Sequence, residues 1–142
     1  LLAFPKFVEE EFTVAIDKTA AGIQVYARKK VPHVTSALAE SIIIDEVNTW
    51  KERYIGTSLE YAPYVEYGTR PHGMPFNVPS LKAWCQKTGI PYEAMRLKIF
   101  ARGTDPHPYL EPAFIYGKRL AEHLFDRAME RACKRVQEMM AQ

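Results

Sequence analysis

The chain has only two cysteines and two tryptophans in 142 residues. Cys85 and Cys133 lie far apart and make no CxxC pair, which argues against a disulfide-built scaffold and a thiolate zinc site. They read as reduced thiols on helices. Net charge is also scarce: 19 Lys and Arg against 17 Asp and Glu leave +2. That is not the concentrated basic character of a duplex-DNA module. No apolar run approaches the roughly 20 residues of a membrane span. Residues 1–16 hold Lys6 and Glu9 to Glu11 and do not read as a signal peptide. Leu1 stands where Met would, which predicts that a few native residues precede it. The signatures GxSxG and GxxxxGKS/T are missing, as are HExxH and a Cys near a His. What is there is 47% hydrophobic and 25% charged, the composition of an ordered chain. Its length suits one domain, 1–142.

Periodicity predicts a long amphipathic helix over 5–30, with Phe4, Val8, Phe12, Ile16, Thr19, Ile23 and Tyr26 on one face. Pro5 suits a first turn, and Pro32 ends the helix. Glu9 to Glu11 toward the start and Arg28, Lys29 and Lys30 at the end complement the helix dipole, while Gly22 weakens the middle. Residues 33–40 allow a turn of helix. Two antiparallel strands follow, about 41–48 and 50–58, joined as a hairpin. Tyr61 to Tyr67 fits a short helix stopped by Gly68. A Gly/Pro loop covers 68–79. Two short helices are expected at 80–88, capped by Ser80, and at roughly 91–101. Tyr109 and Leu110 suggest a last short strand. A final long helix, 112–140, carries Phe114, Leu120, Ala121, Leu124, Ala128, Ala132, Val136 and Met139 on one stripe. The fold class is therefore α+β: a small antiparallel sheet packed with long N- and C-terminal helices, and a helical hairpin inserted at about 70–105. Open sheet edges and helix faces predict self-association.

Few residues point to chemistry. His72 and His107, both in proline loops, could bind a metal with Glu66 or Asp105, but no metal-ligand spacing supports it. Ordinary loop contacts account for them, and His33 and His123 read as surface residues. Glu60 and Glu66 beside tyrosines are a weak acid–base pair. Residues 80–102 have the length of a helix-turn-helix, yet the second helix offers Arg96, Lys98 and Arg102 alongside Glu93, not a clearly basic face. Arg127, Arg131 and Arg135 make a basic row beside Asp126, Glu130, Lys134 and Glu138, with Glu130–Lys134 spaced as an ion pair. This reads as a solvated helix face, or else as a subunit contact or a surface near DNA. No catalytic residue, metal ligand or cofactor is assigned.

The most specific strings are Tyr61-Ala-Pro-Tyr-Val-Glu-Tyr-Gly-Thr-Arg-Pro-His and Arg102-Gly-Thr-Asp-Pro-His-Pro-Tyr-Leu-Glu-Pro-Ala-Phe. The pair resembles the tail-component family of long-tailed bacteriophages, the neck or tail-completion proteins, including the minor tail proteins of lambda-like phages. Tyr61, Ala62, Tyr64, Val65, Glu66, Tyr67, Gly68 and Thr69 match its "YA-x-YVE-(F/Y)-GT" segment. Pro108, Tyr109, Leu110, Pro112 and Ala113 match its "P-(F/Y)-L-x-PA" segment. The order of elements agrees along nearly the whole chain. In the segment after the first helix, Pro32, Thr35, Leu38, Ser41 and Ile42 fit, whereas Val34 and Ser36 replace the usual Asp and Gly.

The motifs read as structural: aromatic residues packing a short helix on the sheet, Gly68 allowing an unusual backbone, and Pro108 and Pro112 stiffening the start of the last helix. The resemblance implies a non-enzymatic virion protein, from a phage or prophage, that completes the tail and joins it to the capsid connector. It also implies a ring of copies, six being expected, assembled in the bacterial host cytoplasm. The neighbours would be connector or stopper and tail-terminator or tail-tube proteins. DNA would pass through the lumen without specific binding, and no membrane would be involved. Arg70, Pro71, His72, Phe76, Asp105, His107 and Tyr109 are the expected subunit or partner contacts. A tail-terminator ring is the nearest alternative, and a small DNA-binding module using 80–102 the alternative from another class.

Overall fold

Good helix formers, a proline in the first turn and three basic residues in the last produce the 27-residue helix α1, Phe4–Lys30. The computed structural model describes residues 4–32, 36–45, 51–75 and 77–142. Over these the order is α1, α2 (Ser36–Ser41), β1 (Ile43–Asp45), β2 (Tyr54–Gly56), α3 (Ala62–Tyr67), α4 (Pro79–Thr88), α5 (Tyr92–Arg102) and α6 (Leu110–Met140). The strands pair antiparallel, with Ile44 opposite Ile55. The α+β expectation holds: two long helices, a small antiparallel sheet and a helical hairpin between sheet and last helix.

The long helices run antiparallel against each other. Phe12 meets Phe125 edge-on at 5.0 Å between ring centroids, and Tyr26 stacks on Tyr116 at 4.9 Å. Ala15, Ala20 and Ala27 on α1 are buried, as are Ala113, Ala128 and Ala132 on α6. Small side chains allow the axes to approach closely. Gly117 is part of that fit, since a Cβ there would overlap the side chain of Ile23. Gly22 faces Leu120, whose Cδ2 would lie 2.6 Å from an added Cβ. The glycine expected only to weaken α1 thus sits in the seam. The main apolar cluster continues from these contacts, where Ile23, Ala27 and Val31 meet Leu38, Ile42, Ala62, Tyr109 and Ala113. The Ile42 carbonyl accepts bonds of 2.8 Å from both Gln24 Nε2 and Arg28 Nη2, tying the first strand's approach to α1.

Several expectations need correction. Among the described residues each strand spans three positions, and the expected ends at 41–42, 51–53 and 57–58 are not strand: Ser41 closes α2 and Thr57 turns away, their hydroxyls 2.7 Å apart. The hairpin tip, 46–50, lies outside the described residues, as do His33, Val34 and Phe76. Ser80 does not cap α4: Val78 flanks it and Pro79 occupies its first turn. Tyr109–Leu110 is no strand but the start of α6. On α6 the buried stripe runs through Ala113 and Gly117, leaving Phe114 about half exposed. Glu10 and Glu11 do lie toward the start of α1, beyond its first turn. Both bond Arg135, and Glu11 also takes a 2.6 Å bond from Arg131, so the expected solvated basic row is partly an inter-helix ion-pair ladder. Lys134 reaches Glu138 at 3.8 Å, not Glu130.

Candidate interaction surface

The two motif strings, far apart in the chain, form one junction. Glu66 lies on the inner side of α3, 6% exposed, and its carboxylate accepts three backbone N–H bonds. Oε2 takes those of Tyr109 and Leu110 and Oε1 that of Glu111, all at 2.9 Å. These are the orphan donors of the α6 N-terminus, where a negative charge also meets the positive end of the helix dipole. Tyr109 itself has no side-chain cap to offer. A carboxylate 43 to 45 residues earlier in the chain does that work instead.

Beside it, Thr69 and Thr104 form an antiparallel bridge. Each backbone N–H bonds the other's carbonyl, at 3.1 and 3.2 Å, and the two hydroxyls lie 3.0 Å apart. The residue before each threonine is a glycine with positive φ, +71° at Gly68 and +77° at Gly103, with ψ near ±160–180°. That backbone region is essentially closed to other residues. Space forbids them too: a Cβ at Gly68 would overlap the Thr104 carbonyl oxygen, and one at Gly103 the Thr69 carbonyl oxygen. His107 N–H to the Val65 carbonyl, 2.8 Å, and His72 N–H to the Ile99 carbonyl, 3.3 Å, extend the junction on both sides.

The tyrosines of the first motif do not pack α3 against the sheet, as expected. Ala62 and Glu66 face inward, and Tyr64 and Tyr67 stand 60% and 75% exposed. Two clefts flank α3. One, about 710 Å³, is bounded by Tyr61, Tyr64 and Val65, by Leu81 and Trp84 of α4, and by Met95 and Ile99 of α5. His72 and His107 both open onto it, so the structure does bring the two loop histidines to one place. The other, about 500 Å³, uses the face of α3 with Pro63 and Tyr67, together with Leu59, Leu110 and Phe114. Glu60 and Glu111 rim it, and among the described residues no Lys or Arg lines it.

The expected contact residues divide. Arg70, Pro71, His72, Asp105 and His107 are exposed. The His72 ring lies 2.8 Å from the Arg70 carbonyl. Asp105 accepts a 2.8 Å bond from Lys98, which holds its carboxyl below the usual range. Tyr109 is a correction: at 2% exposure it belongs to the core, where burial, aided by the Glu66 charge, pushes its phenol up. Of the two carboxylates considered beside the loop histidines, Glu66 is engaged by three amides and Asp105 by Lys98. Among the described residues no three His, Cys, Asp or Glu side chains gather as a metal site. The α4–α5 pair does form about the Thr88–Pro91 turn, but Arg96 bonds Glu93 at 2.7 Å and Lys98 is held by Asp105. Two of the three cations offered for base contacts are thus bound to carboxylates of the same chain. Cys85 is buried and Cys133 exposed.

Sequence reasoning missed the carboxylate cap and the bridge. The bridge joins two Gly-Thr dipeptides, 68–69 and 103–104, but Gly-Thr also occurs at 56–57, so the dipeptide alone did not single out the pair.

Comparison with family models, with curated proteins and with solved structures finds no match to this chain. Among the described residues no helix is long and apolar enough to cross a membrane.

Proposed function

We propose that the protein is a structural component of a phage neck, completing the tail and joining it to the capsid connector as one subunit of a ring. The observation that carries this reading is the aromatic shell outside a rigid junction. Tyr61, Tyr64, Tyr67 and Phe114 all stand at least two-fifths exposed around α3 and the start of α6. Beneath them Glu66, the threonine bridge and two glycines hold the backbone in one arrangement. Large exposed aromatics on a fixed support suit burial by neighbouring subunits. The family resemblance of the same two strings supplies the phage setting, and a near-neutral charge of +2 suits a lumen that passes DNA without gripping it. A tail-terminator ring makes the same use of these surfaces.

The test is electron microscopy of particles assembled without this protein. The expected result is separate heads and tails, and heads still joined to tails would overturn the reading. Replacing Arg70, His72 and Phe76 by Ala should block neck assembly while leaving the isolated chain folded by circular dichroism.

A further inference from the structure

Helix α5 is apolar on two sides. Met95 and Ile99 point into the larger cleft, but Leu97 and Phe100 are each 67% exposed. At spacings of three and four residues with Glu93 and Ala101, they form a ridge along one outer face. Such a ridge is costly to leave in water when nothing covers it. Of the cations on α5, Arg96 bonds Glu93 and Lys98 bonds Asp105, so the basic character of the helix that can meet a partner lies in its last turn, at Arg102.

The smaller cleft beside α3 has the opposite character. Its floor and walls are apolar and aromatic, including Pro63, Tyr67 and Phe114, and among the described residues its charged lining is Glu60, Glu66 and Glu111. Glu66 is occupied with the α6 amides, so Glu60 and Glu111 are the carboxylates that can meet a partner. The ridge and the cleft share no residue.

We infer that the α5 ridge of one copy docks in the acidic-rimmed cleft of a second copy, Leu97 and Phe100 against Tyr67 and Phe114, with the basic end of α5 beside Glu60 and Glu111. Both halves of the contact are present on every chain and differ from each other. The association is therefore head-to-tail, and each added copy leaves one ridge and one cleft free. Opposite charge fixes the direction of the helix in the cleft, and apolar burial supplies most of the attraction. The inference rests on the assembly reading only for the closure of the series into a ring; the pairwise contact stands on the surfaces alone.

The experiment is a complementation test on the purified full chain, with mass read by light scattering at about 100 μM, a concentration at which even micromolar contacts are populated. The ridge variant is Leu97→Asp with Phe100→Asp, and the cleft variant is Glu60→Lys with Tyr67→Asp. All four positions are exposed, so folding should persist, as circular dichroism would check. The unaltered chain should associate, and each variant alone should fall to monomer mass, at least tenfold weaker. The mixture should give a one-to-one dimer, because an intact cleft meets an intact ridge. A monomeric unaltered chain, variants that associate as before, or a mixture that stays monomeric would each overturn the proposal. Should either variant unfold, Leu97→Cys and Tyr67→Cys chains, both in a Cys133→Ser background, should form a mixed disulfide on oxidation; no crosslink would equally overturn it. A chain that associates as expected while particles still join heads to tails without it would leave this contact standing and remove the neck reading.

Discussion

Two parts of the molecule hold distant chain segments together by opposite means. The α1–α6 seam is long, apolar and built from small side chains, so its contacts are many and individually replaceable. The junction of residues 65–72 with 99–111 is short and built from hydrogen bonds and excluded volume, so each of its parts is close to irreplaceable. Dispersion and burial fall off gradually when one atom is misplaced. A buried amide either has its acceptor or does not, and an overlapping Cβ must move a backbone. The difference predicts a few severe lesions in the junction and many mild ones in the seam.

The sharpest way to break the comparison is Gly103→Ala. The substitution needs positive φ from an alanine and also drives its Cβ into the Thr69 carbonyl. A loss of at least about 3 kcal/mol is expected in chemical denaturation, and a loss under about 1 kcal/mol would show that the bridge gives way easily. Glu66→Ala comes next. It leaves three N–H groups at the start of α6 without an acceptor, one of them on buried Tyr109, and should cost about 2–3 kcal/mol. Glu66→Gln, which keeps the shape and one carbonyl oxygen, should cost about half as much, and equal losses would mean that the charged carboxylate with both its oxygens, rather than shape or a single acceptor, is what matters.

In the seam, Gly117→Ala should cost about 1–2 kcal/mol, because buried Ile23 must be displaced while better helix propensity returns up to about 1 kcal/mol. Gly22→Ala, which meets only the end of the Leu120 side chain, should be near neutral; a larger loss there than at Gly117 would reverse the account of the seam. The smallest effect is that of pH on the ion-pair ladder. The hydrogen bond from Arg131, with Arg135 adding to it, holds the Glu11 carboxyl below the ordinary glutamate value. The folded chain thus keeps this charge to lower pH than the unfolded chain. The associated stability is present above the ordinary value, about pH 4.3, and is lost as pH falls through the depressed one. Glu11→Gln should therefore flatten the acid side of the stability profile slightly, within the range of solvent-facing pairs.

These contrasts also explain which features were legible in sequence. Local chemistry announces itself: the stripe from Val8 to Tyr26, the stop at Gly68, the turn at Gly89 and the long run after Pro112 all gave elements close to those observed. Faces set by a partner were less visible. Phe114 fits an apolar stripe by spacing, yet Ala113 and Gly117 take the buried positions because only small residues let α1 come close. Tyr109–Leu110 looks like a strand by β-propensity, but an acceptor from Glu66 makes helix possible from Leu110 onward. Tyr64 and Tyr67 look like packing residues by hydrophobicity, and instead face outward. In the junction every deciding contact joins residues at least 35 positions apart, except those at its edges. No local window contains both members, and Gly-Thr, present three times, does not by itself mark which two meet.

The threonine bridge has one more consequence. It closes the chain from 69 to 104 into a loop, so the helical hairpin leaves the body and returns to it at one place. The entropy of closing such a loop grows only with the logarithm of its length, about 0.6 kcal/mol for each doubling. Residues could be added to or removed from the hairpin without disturbing how α1 and α6 meet. The hairpin is an adjustable arm on a fixed frame, and its reach is a dimension that can vary while the frame stays the same.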